Sequence, residues 1–469
     1  MNWDEFAPWG AKVSDWAQNY HQTIRDRPVR AQTAPGAILN ALPASPPETP
    51  EPLEQIFEDF ERIVMPGITH WQHPRFFAYF PSNASPASVL AEFIAMALSP
   101  QCMLWQTSPA ATEMETRMMD WLRQSLGLPD GYQGVIQDSA SSATLAAVLT
   151  MRERALNWQG NVQGLPGQTT LRIYASSEVH TSIDRAIWIA GVGQDNLVRI
   201  PIKGDWRGMD PDALEAAIEA DKAAGLTPAG LILCVGGTGT GATDPINACL
   251  DIAERHGLYT HVDAAWAGSA MICPEFRDMW DGTERADSIV FNPHKWLGVQ
   301  FDCSAHFLKD PDQLVKTLAI SPEYLKTHGA EGIINYSEWS VPLGRRFRAL
   351  KIWFVLRAYG LEGLRQRLRN HVDWTRKLHD RLAAEPDFDI VTAPMWSLFS
   401  FRYTREGADL DDLNLRLVNA INDDGRIYLT QTRVDGDLVI RFTAGHFECT
   451  EDDVMLAFDV ITEIARSLD

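Results

Sequence analysis

Two successive crossover units between residues 209 and 263 constrain this chain more than any other feature. Met209-Asp210-Pro211-Asp212 supplies an N-cap aspartate and a proline at the first helical position, and Gly225 offers a helix stop. An apolar run from Gly230 to Val235 follows. Asp244-Pro245 then repeats the opening device, Gly257 repeats the stop, and Leu258 to Val262 form a second short apolar run. Strands separated by a whole helix return in the same direction, so consecutive crossovers require a mainly parallel sheet covered by helices. The same alternation runs from about residue 134 to 310, which makes the fold class α/β.

At 469 residues the chain exceeds what one simple core holds. Three parts are expected: an N-terminal helical segment over 1–85, a large α/β domain over 86–350, and a small C-terminal α+β domain over 351–469. The last has strands near Phe399 to Tyr403 and Leu438 to Phe442. Residues 31 to 54, rich in Pro and Ala, read as an extended connector between two helices. The formal charge of −21 opposes nucleic acid or an anionic membrane surface as a partner. Cysteines at 102, 234, 249, 273, 303 and 449 show neither C-x-x-C nor a cysteine–histidine metal spacing, so a reducing compartment and no metal are expected. The start lacks a basic region followed by an apolar run, and no segment approaches bilayer length. The expectation is a soluble cytoplasmic protein.

Chemistry concentrates in Ser288-Ile-Val-Phe-Asn-Pro-His-Lys295-Trp296 and His261-Val-Asp263-Ala-Ala265. A lysine beyond an apolar strand, partly withdrawn from water, loses basicity and its neutral amine can condense with an aldehyde. An aspartate on a neighbouring strand is what a pyridinium nitrogen requires. Either alone reads as a snorkelling lysine or a helix-capping acid. Together they point to pyridoxal phosphate (PLP). Residues two apart on a strand share a face, so Ala265 is expected beside Asp263, its methyl against one face of the ring. His180, following the strand Leu171 to Ala175, is a flat candidate for the other face, at the strand ends where α/β sheets place ligands. The run from Gly134 through Ser139, Ala140 and Ser141 to Thr144 offers a helix start with free amides for a phosphate, or an ordinary serine cap. Asn292 and His294 are further candidate donors. Against this stands Gly237-Thr-Gly239-Thr-Gly-Ala242, a G-x-G-x-x-A match with Asp263 about twenty residues on, which alone suits a dinucleotide-binding dehydrogenase.

Met65-Pro-Gly-Ile-Thr-His-Trp71, Phe76-Phe-Ala-Tyr-Phe-Pro81, His261-Val-Asp-Ala-Ala-Trp-Ala-Gly-Ser269, Phe291-Asn-Pro-His-Lys-Trp296, Phe301-Asp-Cys-Ser304 and Pro342-Leu-Gly-Arg-Arg-Phe-Arg348 together resemble the group II PLP-dependent decarboxylases. The aromatic-L-amino-acid decarboxylases match most closely, over nearly the whole chain. The resemblance implies the type I PLP fold, with a central, mostly parallel seven-stranded sheet, and a homodimer with active sites between subunits. It implies that Lys295 bonds PLP, Asp263 partners the pyridine nitrogen and His180 stacks on the ring. Ala140, Ser141, Asn292 and His294 fall at phosphate-side positions, and Thr238 near cofactor and substrate. Tyr336, in Gly332-Ile-Ile-Asn-Tyr336-Ser-Glu-Trp339, stands where the family has a catalytic loop tyrosine that returns a proton to the substrate carbon. Relatives with phenylalanine there resemble oxygen-consuming aldehyde synthases. Trp71, Tyr79, Phe80 and Pro81 resemble the aromatic substrate pocket, although Phe76 to Phe80 also reads as plain core; Ser82 stands where relatives often carry threonine, Met103 departs from an aromatic residue of some relatives at the subunit boundary, and Gly344 is the roomier option at its position. Gly344 leans the expected substrate toward tryptophan among the aromatic amino acids. Gly236, Gly239 and Gly241 depart from bulkier family residues beside Thr238. Three readings follow: an aromatic amino acid decarboxylase, an aldehyde synthase on the same scaffold, and a catalytically silent cofactor-binding protein.

Overall fold

The computed structural model describes residues 1–320 and 332–468. By internal packing the chain divides into two compact units, Ser82–Asn370 and a second that joins Met1–Pro81 to His371–Asp469. The lines fall elsewhere than at 85 and 350. A helix that begins at Ala349 carries the chain past residue 350, and after the non-helical Gly360, with φ 64°, a second helix continues to Ala383. The first segment, for its part, packs with the C-terminal sheet: Phe77 donates its N–H to the Tyr428 carbonyl and sets its ring, tilted, 4.6 Å from that of Phe442.

Ser82–Asn370 is built on a seven-stranded sheet. In chain order its strands are β1 (Gln133–Gln137), β2 (Leu171–Ser176) and β3 (Leu197–Ile200), then, after a short hairpin of β4 (Ile202–Lys203) and β5 (Gly208–Met209), β6 (Thr227–Cys234), β7 (Tyr259–Asp263), β8 (Ser288–Phe291) and β9 (Ser304–Leu308). Their spatial order is β1-β9-β8-β7-β6-β2-β3. Only β9 runs against the rest. Strands β7, β8 and β9 are buried along their whole length, as expected where helices cover both faces.

The crossover signals act largely as the residues dictate. Asp210 accepts from the amide of Asp212 at 3.0 Å, Pro211 opens the helix Pro211–Ala223, and Gly225 follows its end with φ 76°. Asp244 is different. The helix starts at Ile246 with Pro245 in the cap position, and the Asp244 carboxylate instead accepts from Met209 and Cys234, both at 2.7 Å. It pins the end of β6 to β5, and burial raises its pKa to about 6.

The other unit carries a four-stranded antiparallel sheet of β10 (Phe388–Met395), β11 (Leu398–Tyr403), β12 (Thr430–Val434) and β13 (Asp437–Thr443), in the order β10-β11-β13-β12. Its core includes Phe399, Phe401, Ile440 and Phe442 against the helices Leu410–Asp424 and Glu451–Ser467. No helix among the described residues is long and apolar enough to cross a membrane.

One buried ion pair locks the edge of the large sheet. Arg345 pairs with Glu115 while donating to the carbonyl of Ile136 at 3.0 Å, and Glu115 also accepts the Ile136 amide at 2.8 Å. Both side chains are at most 3% exposed. Glu115→Ala leaves a guanidinium buried without its counter-charge and should cost about 3–5 kcal/mol in urea unfolding. Asp412→Ala, which breaks an exposed pair with Arg416, should cost under about 1 kcal/mol.

Candidate active site

A cavity of about 180 Å³ opens at the carboxyl ends of the central strands. Lys295, Asp263, Ala265, His180, Ala140, Ser141, Thr238 and Asn292 all line it, together with Ser139, Ser182, Cys234, Gly236 and Gly237. Eight side chains or backbone positions expected from sequence to serve one cofactor thus converge from five separate segments.

Asp263 ends β7 between Cys234 of β6 and Val290 of β8. Its carboxylate accepts the Ala265 amide at 3.1 Å. Ala265 lies beyond the strand, so this aspartate-anchored turn, rather than strand alternation, brings the two residues to one cavity. Burial raises the Asp263 pKa, and the nearby Lys295 and His180 oppose that rise. A buried acid of this kind favours a cation set against it.

Lys295 sits four residues past β8, in the single turn Pro293–Trp296, with its amide bonded to the Asn292 carbonyl at 2.9 Å. The turn is laced from outside: Asn83 donates its amide to the His294 carbonyl at 3.0 Å and its side chain to the Lys295 carbonyl, and Ser85 bonds the Gly298 carbonyl at 2.9 Å. Sequence reasoning did not single out Asn83; only its backbone-clamping role distinguishes it. Asn292 accepts from Ser304 through Oδ1 at 2.5 Å, so Nδ2 is the end that can donate to a ligand.

His180 follows β2 in a five-residue turn. Its Nδ1 accepts from the Ser182 amide at 3.1 Å and hydroxyl at 2.9 Å, which leaves the neutral ring's proton on Nε2. The ring opens to the cavity, yet partial desolvation lowers its pKa, partly opposed by Asp263. Ser139 caps the helix Ala140–Ala155 by accepting the Ser142 amide at 3.2 Å. The amides of Ala140 and Ser141 belong to the first turn, which has no partners within the helix and favours an anion.

The glycine-rich segment is a self-bonded loop. Gly237 donates to the Ala242 carbonyl at 2.7 Å, Gly241 to the Gly237 carbonyl at 2.8 Å, and Gly236 to Thr243 Oγ1 at 3.1 Å. Thr240 ties it to Glu178, two residues before His180, at 2.9 Å. Gly236 has φ 76°, and a Cβ there would stand 2.4 Å from that of Ala267. The next helix begins only at Ile246, so these amides close a turn instead of facing a pyrophosphate at a helix start, and the dinucleotide reading lapses.

Other expected residues lie elsewhere. His294 is buried, its Nδ1 accepting the Cys303 amide at 3.0 Å and its ring edge-on to Phe301, and it is absent from the cavity lining. Tyr336 is buried in a separate apolar cluster, its hydroxyl 2.9 Å from Thr116 Oγ1 and its ring beneath Arg345. Burial raises its pKa. Met103 offers its carbonyl to the Ser337 amide at 3.0 Å, and Gly344 is exposed beside Gln101. Ser82 begins the large unit, half-buried. Trp71, Tyr79, Phe80 and Pro81 belong to the other unit. There Trp71 and Tyr79 stack at 5.7 Å, both about 40% exposed or more, whereas Phe80 is buried against Gly445 and Pro81 is buried.

Burial holds the His294 pKa down to about 3. The folded ring stays neutral while the unfolded ring binds a proton below about 6.5, so the unfolded state binds more protons between those values. His294 therefore adds stability that is full above about pH 6.5 and is lost as pH falls toward 3, at about 1.4 kcal/mol per unit. Urea unfolding of wild type and His294→Gln between pH 5 and 7.5 should show that slope shrinking in the variant.

The residues present fit PLP: a buried acid for the ring nitrogen, a lysine, a flat imidazole and a helix start gathered in one cavity. The family model described as the pyridoxal-dependent decarboxylase conserved domain matches residues 35–404. The chain is 37% identical to phenylacetaldehyde synthase of Arabidopsis thaliana, over 100% of this chain and 97% of that protein. It is also 37% identical to tyrosine decarboxylase 1 of Narcissus pseudonarcissus, over 99% and 93%. The structure of Oryza sativa TDC with PLP and tryptamine superposes with a TM-score of 0.96 at 35% identity, covering 99% of this chain and 98% of that one. The chain thus belongs to the pyridoxal-dependent decarboxylase family, and its cofactor is pyridoxal 5'-phosphate.

Proposed function

We propose that this enzyme decarboxylates aromatic L-amino acids to the corresponding arylalkylamines and carbon dioxide. The observation that carries the reading is the meeting of Lys295, Asp263 and His180 in one cavity, in a chain whose relatives include tyrosine and tryptophan decarboxylases. When bound, PLP supplies an electron sink for the pair released as the Cα–carboxylate bond breaks. Lys295 Nζ would hold the cofactor at its aldehyde carbon. The Asp263 carboxylate keeps the proton on the pyridine nitrogen, a task that its burial strengthens by removing competing water. His180 supports the ring. The Ala140 and Ser141 amides and Asn292 Nδ2 would hold the phosphate.

The return of a proton to Cα falls to Tyr336 Oη. Tyr336 does not line the Lys295 cavity of its own protomer, which supports a homodimer in which this residue, with Met103 and Gly344, completes the site of the partner subunit. The helix Pro86–Leu98 supports the same reading, since Leu90, Phe93, Met96 and Leu98 leave an apolar face exposed. Trp71, Tyr79, Phe80, Pro81 and Ser82 are assigned to the aromatic side of the substrate. All six cysteines are free and buried, in keeping with a reducing cytoplasm.

Aldehyde synthesis is the second reading, favoured by the phenylacetaldehyde synthase relative and opposed by the tyrosine at 336. PLP-loaded enzyme should convert tryptophan, tyrosine, phenylalanine or their hydroxylated forms to amine and carbon dioxide without oxygen uptake. Aldehyde with hydrogen peroxide as the main products would establish the second reading instead. Tyr336→Phe should cut amine formation by about 10²–10⁴-fold and raise the aldehyde share. Lys295→Ala should lose turnover and the borohydride-stable label at 295; equal turnover in that variant rules out the assigned nucleophile.

A further inference from the structure

Three polar side chains that the proposed chemistry leaves unused cross the central sheet in a line. His261 on β7 bonds Ser288 on β8 through Nδ1 at 2.8 Å, and Ser288 bonds His306 Nε2 on β9 at 2.7 Å. His261 Nε2 reaches Thr144 Oγ1 at 3.3 Å, on the helix Ala140–Ala155. All four residues have no exposed surface. Burying them costs free energy that valine or leucine would not, so the sheet retains them against its own interest in apolar filling.

The bonds run in one direction. His306 Nδ1 has no partner among the described residues. A buried N–H left unmade is rarer and more costly than a bare lone pair, so the proton of His306 belongs on Nε2, donating to Ser288. Ser288 then donates to His261 Nδ1, and His261 Nε2–H donates to Thr144. Burial keeps both rings neutral, with His306 held down to about 3 and His261 well below its ordinary value, so the line adds no charge near Asp263.

One end of this line, the His261–Thr144 bond, leads to the cavity, and Ser288 and His306 orient His261 from the neighbouring strands. His261 lies two residues before Asp263 on the same strand, and Thr144 lies one helical turn after Ala140. We infer that His261, Ser288 and His306 are positioning residues that fix the first turn of the helix Ala140–Ala155 relative to the strand bearing Asp263, and so set the span between the phosphate end and the ring-nitrogen end of the cofactor cradle. The inference rests on the assignment of those two ends given above.

Binding of PLP and of pyridoxal, which lacks the phosphate, to the apoprotein separates this role from general loosening. Ser288→Ala and His306→Leu should weaken PLP by about tenfold, the weight of one buried hydrogen bond, with pyridoxal changed less than twofold. His306→Gln, which keeps a donor toward Ser288, should restore most of the PLP affinity. Equal losses for both ligands, or no loss in a folded variant, overturn the inference. Should the variants not fold, imidazole nitrogen NMR of the wild-type apoprotein decides: protons on Nε2 of both His261 and His306 are expected, and an Nδ1 proton on His306 overturns the proposed direction. If wild-type protein itself fails to prefer PLP over pyridoxal, the cradle assignment falls instead.

Discussion

A carboxylate out of contact with water is the constraint around which the cavity is organised. Asp263 is held at the end of a wholly buried strand, where losing solvent disfavours its charge. The protein answers with the Ala265 amide and with the field of Lys295 and His180. Neutral neighbours matter as much as charged ones. Burial keeps the imidazoles of His261 and His306 in the sheet unprotonated, so they bring no positive charge of their own.

The sheet topology explains why residues far apart in sequence can share this duty. Five strands run in parallel from β3 to β8, so their carboxyl ends and the turns beyond them lie at one edge of the layer. The turns after β1, β2, β6, β7 and β8 deliver Ala140, His180, Thr238, Ala265 and Lys295 respectively. Each turn is fixed by its own backbone bonds: the serine cap at 139, the imidazole–amide turn at 180, the closed glycine loop, the Asp263–Ala265 turn, and the Asn83 clamp. Precision at the cavity is therefore local chemistry repeated five times upon one rigid frame.

Signals that act over a few residues were legible in the sequence. Asp210-Pro211 with Gly225 marked a helix because cap, proline and stop all act within one turn of it. Asp244-Pro245 carried the same letters, yet its carboxylate is drawn to two distant amides, which no local pattern shows. Strand β12, Thr-Gln-Thr-Arg-Val, escaped notice because an edge strand needs little apolar content, and β10 because its register shifts between Ile390 and Met395 blur the alternation. Lys295, Asp263 and His180 were readable as chemistry, whereas Cys234 reaches the cavity through strand geometry and Asn83 clamps the Lys295 turn from a distant segment. Tyr336, Met103 and Gly344 were grouped with that site by resemblance. Where the chain places them depends on packing that residue spacing does not encode.

The six thiols are all enclosed, and burial lifts each above its ordinary pKa, to about 11 at Cys102 and about 12 at Cys273 and Cys303. Thiolate is the form that alkylating reagents and peroxides attack, so the native molecule keeps these sulfurs chemically quiet until it opens. They are distributed through both compact units, with Cys449 in one and the other five in its companion. Iodoacetamide uptake at each position is therefore an intrinsic stopwatch for how quickly, and in what order, the two halves of the polypeptide come undone.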